Sequence, residues 1–163
     1  MSRVWLDLPR DSAALFNPAL LAVTVLRGVQ GAVEEGKRGL PWETAYLVVP
    51  MCLDADVRSA LSMRLNTPMV SWIASHPSER AAIPGKAAAI SPLVTVGLDL
   101  ALRTRTLAID GALIVPGEHK VPKVIKSASS EVAQIQKAAK YLGRWLTVNP
   151  NTTAVLNIFG VRP

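Results

Sequence analysis

The sequence predicts a mainly α-helical fold with a short β-hairpin, ordered like a winged helix-turn-helix. Three observations carry that class. Apolar residues recur at helical spacing in several stretches, many opened by a cap-and-proline pair such as Asn17-Pro18 or Ser91-Pro92. The period then changes to alternation over Thr106–Val115, around Asp110-Gly111. Helical spacing returns after Ser129-Ser130-Glu131. Helices, then one hairpin, then a helix is the winged order; the pattern speaks to class more than to topology.

Residues 1–15 read as an N-terminal arm, in which Val4, Trp5, Leu6 and Leu8 suit a short strand or a docked segment. Residues 16–163 read as a single domain. Asn17 caps the first helix and Pro18 fits its first turn, where a missing N–H costs nothing. Leu21, Val25, Val29 and Val33 form its stripe, and Gly36 and Gly39 end it. Pro41-Trp42-Glu43 opens a second apolar helix that Pro50 kinks or stops. Asp54 or Asp56 caps a short third helix ending near Ser62, and Asn66-Thr67-Pro68 starts a fourth that His76-Pro77 breaks.

Pro77–Ile90 reads as a helix interrupted at Pro84-Gly85, and Ser91-Pro92 launches another over residues 92–104. Asp110-Gly111 is a two-residue primed turn joining two short strands. The basic connector from Glu118 to Lys126 is a loop or a lysine-guarded edge strand. Ser127, Ser129 and Ser130 with Glu131 start a long helix that runs to about Thr147. Asn149-Pro150-Asn151 turns the chain, and residues 152–159 form a short helix or an extended segment.

Half of the 163 residues are hydrophobic and 18% are charged, too apolar for a disordered chain. So few charges leave apolar surface uncovered, as in a subunit taken out of its assembly. The best membrane window, Ala87–Leu102, falls short of the roughly 20 residues a span needs and contains Pro92 and Asp99; Pro18–Val33 holds Arg27 and Gln30. Asp7 and Asp11 interrupt any secretory leader, so the expectation is a cytoplasmic protein without a membrane anchor. A single cysteine, Cys52, excludes an internal disulfide. In that setting the Asn151-Thr-Thr153 glycosylation sequon carries no meaning.

No arrangement for catalysis emerges. Gly31-Ala-Val-Glu-Glu-Gly-Lys37 has the spacing of a phosphate-binding loop, but Arg38 replaces the magnesium-holding hydroxyl, two glutamates occupy the phosphate position and a helix precedes it. A helix C-terminus accounts for its glycines. Cys52, His76 and His119 stand apart, so no metal site is expected. Asp54 and Asp56 read as helix-capping acids. There is no Gly-x-Ser-x-Gly elbow. The expectation is a non-enzyme with no catalytic residues, no metal and no cofactor.

Charge is uneven. Residues 1–100 carry nine Lys/Arg and nine Asp/Glu, whereas residues 101–163 carry nine against three. A basic end fits an acidic partner, nucleic acid or protein, or plain solubilising charge. On the last long helix Val132, Ile135, Ala139, Leu142 and Leu146 share one side, and Lys137, Lys140 and Arg144 lie opposite. The charges are the expected outer face of a core helix, a reading preferred here to a binding stripe. Gly143 costs about 1 kcal/mol against alanine inside a helix, which points to close backbone approach by another segment, such as the chain end.

In a winged fold, Pro92–Arg103 would be the helix entering a DNA groove, yet it has no Asn, Gln or Lys and one Arg. Sequence reading is therefore not expected. Arg103, Arg105, Lys120, Lys123 and Lys126 remain candidate phosphate contacts for sequence-blind binding. The tail, Asn157 to Pro163, is apolar where chain ends are usually frayed and polar, which predicts a docked end, in a core or against a partner.

Phe16-Asn-Pro-Ala19, the run through Leu47-Val-Val-Pro50, Ser71-Trp72 to Pro77, Leu142-Gly-Arg-Trp145 and Phe159-Gly-Val-Arg-Pro163 occur in one order along nearly the whole chain. In these landmarks the sequence resembles the middle components of prokaryotic three-component ABC-ATPase systems, and Lamassu-type defence complexes look like relatives. The family motif lands on Asn17, Pro18, Pro50, Gly143, Arg144, Trp145, Gly160, Val161, Arg162 and Pro163. Leu146 stands where an aromatic is common in the family, and the connector is unusually rich in lysine.

The resemblance implies a non-catalytic hetero-oligomer subunit that couples an SMC/Rad50-like ATPase to an effector in anti-phage defence. Arg144, Trp145, Phe159 and Arg162 are then the candidate partner-binding residues. The rival expectation is a stand-alone winged-helix DNA-binding regulator.

Overall fold

A computed structural model describes residues 9–126, 129–149 and 151–162. The chain is mainly helical with a three-stranded antiparallel sheet. The expected strand at Val4–Leu8, the cap at Ser127, Pro150 of the last turn and Pro163 of the terminal motif lie outside the described residues. The rest of the arm is not irregular: Arg10–Leu15 form a one-and-a-half-turn helix, α1.

Helix α2, Pro18–Glu34, is the centre of the molecule. The Asn17 side chain accepts the Ala19 N–H at 2.8 Å, and Pro18 occupies the first turn as expected. The helix is buried nearly all round from Leu21 to Ala32, so the one-sided stripe understates it. A helix enclosed on every side needs apolar or small residues throughout, and this one supplies Gly28 and Gly31 where others press closest.

Chain reversal at Gly36 (φ +79°) leads into β1, Leu40–Pro41, a short 3-10 turn at Trp42–Thr44, and α3, Ala45–Leu53. Pro50 does not stop α3. The helix continues past it, with Leu47, Val48, Val49, Met51 and Cys52 all at most 1% exposed. Burial of those side chains against α2 and two later helices, Pro77–Arg103 and Ser130–Thr147, outweighs the single hydrogen bond that proline removes. Asp54 caps the short α4, Ala55–Ala60, by accepting the Val57 N–H at 2.8 Å. After a loop, α5 spans Met69–Ser75.

The largest departure from the sequence reading is α6. Pro77–Arg103 is one continuous helix of 27 residues, with Pro84 and Pro92 inside it, where a helix interrupted at Pro84-Gly85 and a second over residues 92–104 were expected. Each proline deletes one backbone bond. Ala88, whose carbonyl Pro92 leaves without its helical donor, lies on the exposed side, where water can replace the bond. The opposite side is held by Ile83, Ala87, Val94, Gly97, Leu98 and Ala101, buried in the core. Because the helix is unbroken, it is long and apolar enough to cross a membrane by length and composition, which the shorter window Ala87–Leu102 is not. Its packed face is also what a core helix shows.

The hairpin is present, with strands β2, Leu107–Asp110, and β3, Leu113–Pro116. Asp110 pairs with Leu113, so the two turn residues are Gly111 and Ala112, one position later than expected. Gly111 takes φ +61° and Ala112 does not enter the left-handed region, the arrangement of a II′ turn. The connector forms no strand. The sheet's third strand is instead β1, paired Leu40 to Ile114 and Pro41 to Leu113, giving the order β1-β3-β2.

Helix α7, Ser130–Thr147, begins where Ser129 accepts the Val132 N–H, and its apolar side lies along α2. The two backbones nearly touch: a Cβ on Gly143 would sit 1.9 Å from the Gly28 carbonyl oxygen, and one on Gly31 would sit 2.1 Å from that of Lys140. Close approach is thus the purpose of Gly143, with α2 rather than the chain end as its neighbour. The final segment is a helix, α8, Thr152–Phe159, capped by Asn151 and ended by Gly160 in the left-handed conformation.

Candidate functional site

Three of the five sequence landmarks, those of Trp72, Trp145 and Phe159, converge on one aromatic core. Trp72 of α5 lies 6.2 Å from Trp145 of α7 and 6.1 Å from Phe159 of α8, centroid to centroid, and Trp145 stacks on Tyr141 at 5.8 Å. Each buried indole must place its N–H. Trp72 donates to the Ala60 carbonyl at 2.9 Å and Trp145 to that of Thr67 at 2.8 Å, so the rings also clamp the loop between α4 and α5. The Tyr141 hydroxyl reaches the Arg64 carbonyl at 3.2 Å in the same loop. Burial pushes the Tyr141 hydroxyl up from its ordinary pKa, against a smaller opposing effect of its hydrogen bond with Ser62.

The apolar tail therefore docks in the core of its own chain. Trp145 and Phe159 are both 0% exposed, so these two candidate partner contacts face the interior. The guanidinium of Arg80 holds the end of α8 by donating to the Ile158 carbonyl at 3.1 and 2.9 Å. Arg162 is exposed beside Tyr46 and Pro84. Truncating Phe159 to alanine is expected to destabilise the fold by about 3–5 kcal/mol. Denaturant titration of Phe159→Ala against the parent chain checks this, and a loss under about 1 kcal/mol would mean that the tail is not part of the core.

Arg144 lies half-exposed on the other side of α7, where its Nε donates to Glu35 at 2.6 Å. One turn earlier Lys140 pairs with Glu34 at 2.8 Å. The look-alike of a phosphate loop is thus the C-terminal end of α2. Its two glutamates are engaged by α7 cations, and Gly31 serves the helix crossing. Lys137 alone of that charged trio is exposed.

The candidate phosphate contacts divide into two groups. Arg103 is paired with Asp99 at 2.9 Å and Arg105 with Glu118 at 3.2 Å, all on the surface. Lys120, Lys123 and Lys126 lie exposed on the connector. A feature absent from the sequence reading holds that connector in place. Arg27 of α2, only 5% exposed, donates to Gln136 at 2.9 Å, to Gln30 at 2.7 Å and to the Pro122 carbonyl at 2.6 Å. Gln30 donates in turn to the Val121 carbonyl at 3.1 Å.

None of these Arg27 acceptors is a carboxylate, and burial lowers the Arg27 pKa. The available signal was a polar pair three residues apart on an otherwise apolar helix. Cys52 is fully buried, and desolvation pushes its thiol well up despite nearby Arg58. It is thus unsuited to nucleophilic work. Among the described residues no three His, Cys, Asp or Glu side chains group as metal ligands, and the Asp54 side chain caps α4 and binds Lys86.

Comparison with protein families decides the assignment. The family model described as ABC-three component (ABC-3C) system Middle Component 3 matches residues 5–163. The chain belongs to that family. No curated protein and no solved structure matches it. In this Middle Component 3 chain the landmarks of the tail and of Trp72 are fold determinants, because they build the aromatic core joining α5, α7 and α8.

Proposed function

We propose that this middle component is a non-catalytic, cytoplasmic adaptor that couples an SMC/Rad50-like ATPase to an effector in a Lamassu-related anti-phage defence complex. The observation that carries the reading is the family match over residues 5–163, which names a middle component of a three-component system. The order β1-β3-β2, with β1 arriving from between helices to flank the hairpin, supports a winged-helix-like scaffold. Exposed large hydrophobics such as Trp42, Val70 and Ile109 suit a chain with partners.

The exposed connector lysines favour a second, narrower role, sequence-blind DNA contact within the complex. A stand-alone DNA-binding regulator fits less well. The outer side of α6 after Pro92 offers a single base-reading fork, Arg103, at its last residue and already paired with Asp99.

Changing Lys120, Lys123 and Lys126 together to Glu separates these roles. If the lysines meet phosphates, DNA affinity should fall by about 10-fold or more and its salt dependence should flatten, with assembly intact. Loss of assembly instead assigns them to an acidic protein surface. Binding of the isolated parent chain to one defined DNA site at moderate salt would contradict the adaptor role.

A further inference from the structure

Arg27 is buried without a counter-charge. Its Nε and Nη1 donate to Gln136, Gln30 and the Pro122 carbonyl, all of them neutral acceptors. Its third nitrogen, Nη2, has no hydrogen-bond partner among the described residues. Were Nη2 sealed from solvent it would be a buried donor left unsatisfied, and no such side-chain atom occurs among the described residues. Nη2 therefore faces an opening, although the residue as a whole is only 5% exposed.

That nitrogen is set up for an anion. A guanidinium keeps its proton, and a charge in a low-dielectric setting acts more strongly than one in water. Three bonds of 2.6–2.9 Å already fix the group, so little order remains to be lost on binding. The surroundings add to its field. Lys123, which follows Pro122, is exposed and forms no ion pair, and the same holds for Lys120 and Lys126. Lys120 and Lys123 line a hollow of about 210 Å³ beside Gln30 and Val121, with no Asp or Glu in its wall. Acids on the neighbouring elements are neutralised: Glu34 by Lys140, Glu118 by Arg105 and Glu131 by Arg58.

We propose that Arg27 Nη2, with Lys123 as its second cation, binds a phosphate group. Arginine suits this ligand, because its N–H bonds to phosphate oxygens are charge-assisted and directional. The inference deepens the DNA contact assigned to the connector, and rests on that reading only for the source of the phosphate, a DNA backbone or a free nucleotide. The lysines supply attraction at a distance, and the pinned guanidinium supplies a defined position.

The test is an NMR titration of the full chain with its arginine side-chain nitrogens labelled. Arg27 Nε–H is buried and bonded to Gln136, so its signal reports on the guanidinium. Inorganic phosphate, a mononucleotide, a short DNA duplex and chloride are added separately at one ionic strength. A saturable Arg27 shift with a phosphate-bearing addition, and none with chloride, is the expected result. A shift with the duplex, alone or at about 10-fold lower concentration than phosphate, assigns the DNA backbone as the source. A shift with phosphate and mononucleotide only supports the site with a free nucleotide as its ligand. If the Arg27 signal moves in no arm, the site is overturned and the DNA role of the connector is left to the lysine-to-glutamate change. Phosphate should also raise the melting temperature of the parent chain more than that of Arg27→Met. An equal rise in both is a general salt effect and counts against the site.

Discussion

Gly143→Ala is expected to cost about 3 kcal/mol or more of folding stability, a large part of the total a domain of this size holds. The added Cβ would lie 1.9 Å from the Gly28 carbonyl oxygen and 2.7 Å from its carbon. Both are backbone atoms in the middle of the most buried helix, so no side chain can rotate away. The helices α2 and α7 would have to separate, and the neighbouring contact of Gly31 with the Lys140 carbonyl would open with them. Alanine's better helix propensity returns only about 1 kcal/mol.

The control is Gly85→Ala inside α6, where a Cβ meets nothing within 4 Å. That change should stabilise by about 0.5–1 kcal/mol. Thermal melts of the two variants should therefore move in opposite directions, the first down by about 10 °C. Equal tolerance of both would contradict the packed crossing.

Arg27→Met should release the connector. Methionine fills similar volume without a charge to bury, so the global cost is limited to about 1–3 kcal/mol. The carbonyl of Pro122, however, loses its 2.6 Å donor, and Gln136 loses its 2.9 Å one. Residues 117–126 contain no helix or strand, so these side-chain bonds are a main tie between the connector and α2. Local opening should become easier by about 1.4 kcal/mol, which is a 10-fold rise in the open population. Trypsin cleavage after Lys120 and Lys123 under native conditions reads that population. Faster cleavage at those sites, ahead of sites in α2 and α7, is the expected result. An unchanged rate would mean that the connector is held by other contacts.

Local signals were legible where a side chain acts on its own neighbours. Asn17, Asp54 and Ser129 each accept a backbone N–H at the start of a helix, and the hairpin forms within one residue of its turn signal. What the sequence hid depends on distant partners. Pro50, Pro84 and Pro92 read as breaks because the burial that overrides them comes from α2 and the surrounding core. Two-residue β1 carries too little pattern to announce itself, and only β3 gives it meaning.

The candidate site divides in the same way. Gly143, Trp145 and Phe159 stood out as unusual residues, yet whether an aromatic end is swallowed by its own core or offered to a partner is a question of tertiary placement. The Arg27–Gln30–Gln136 network joins residues 109 apart and leaves almost no local trace.

Central to the account is that this chain works as the link in a three-part assembly. The direct measurement is co-expression of all three components, followed by affinity capture on one of the other two and mass determination of the eluted particle. The account predicts a single particle containing this chain, and predicts that omitting it leaves the other two components unassociated. Recovery of those two bound to each other in its absence, with this chain eluting alone when present, would contradict it.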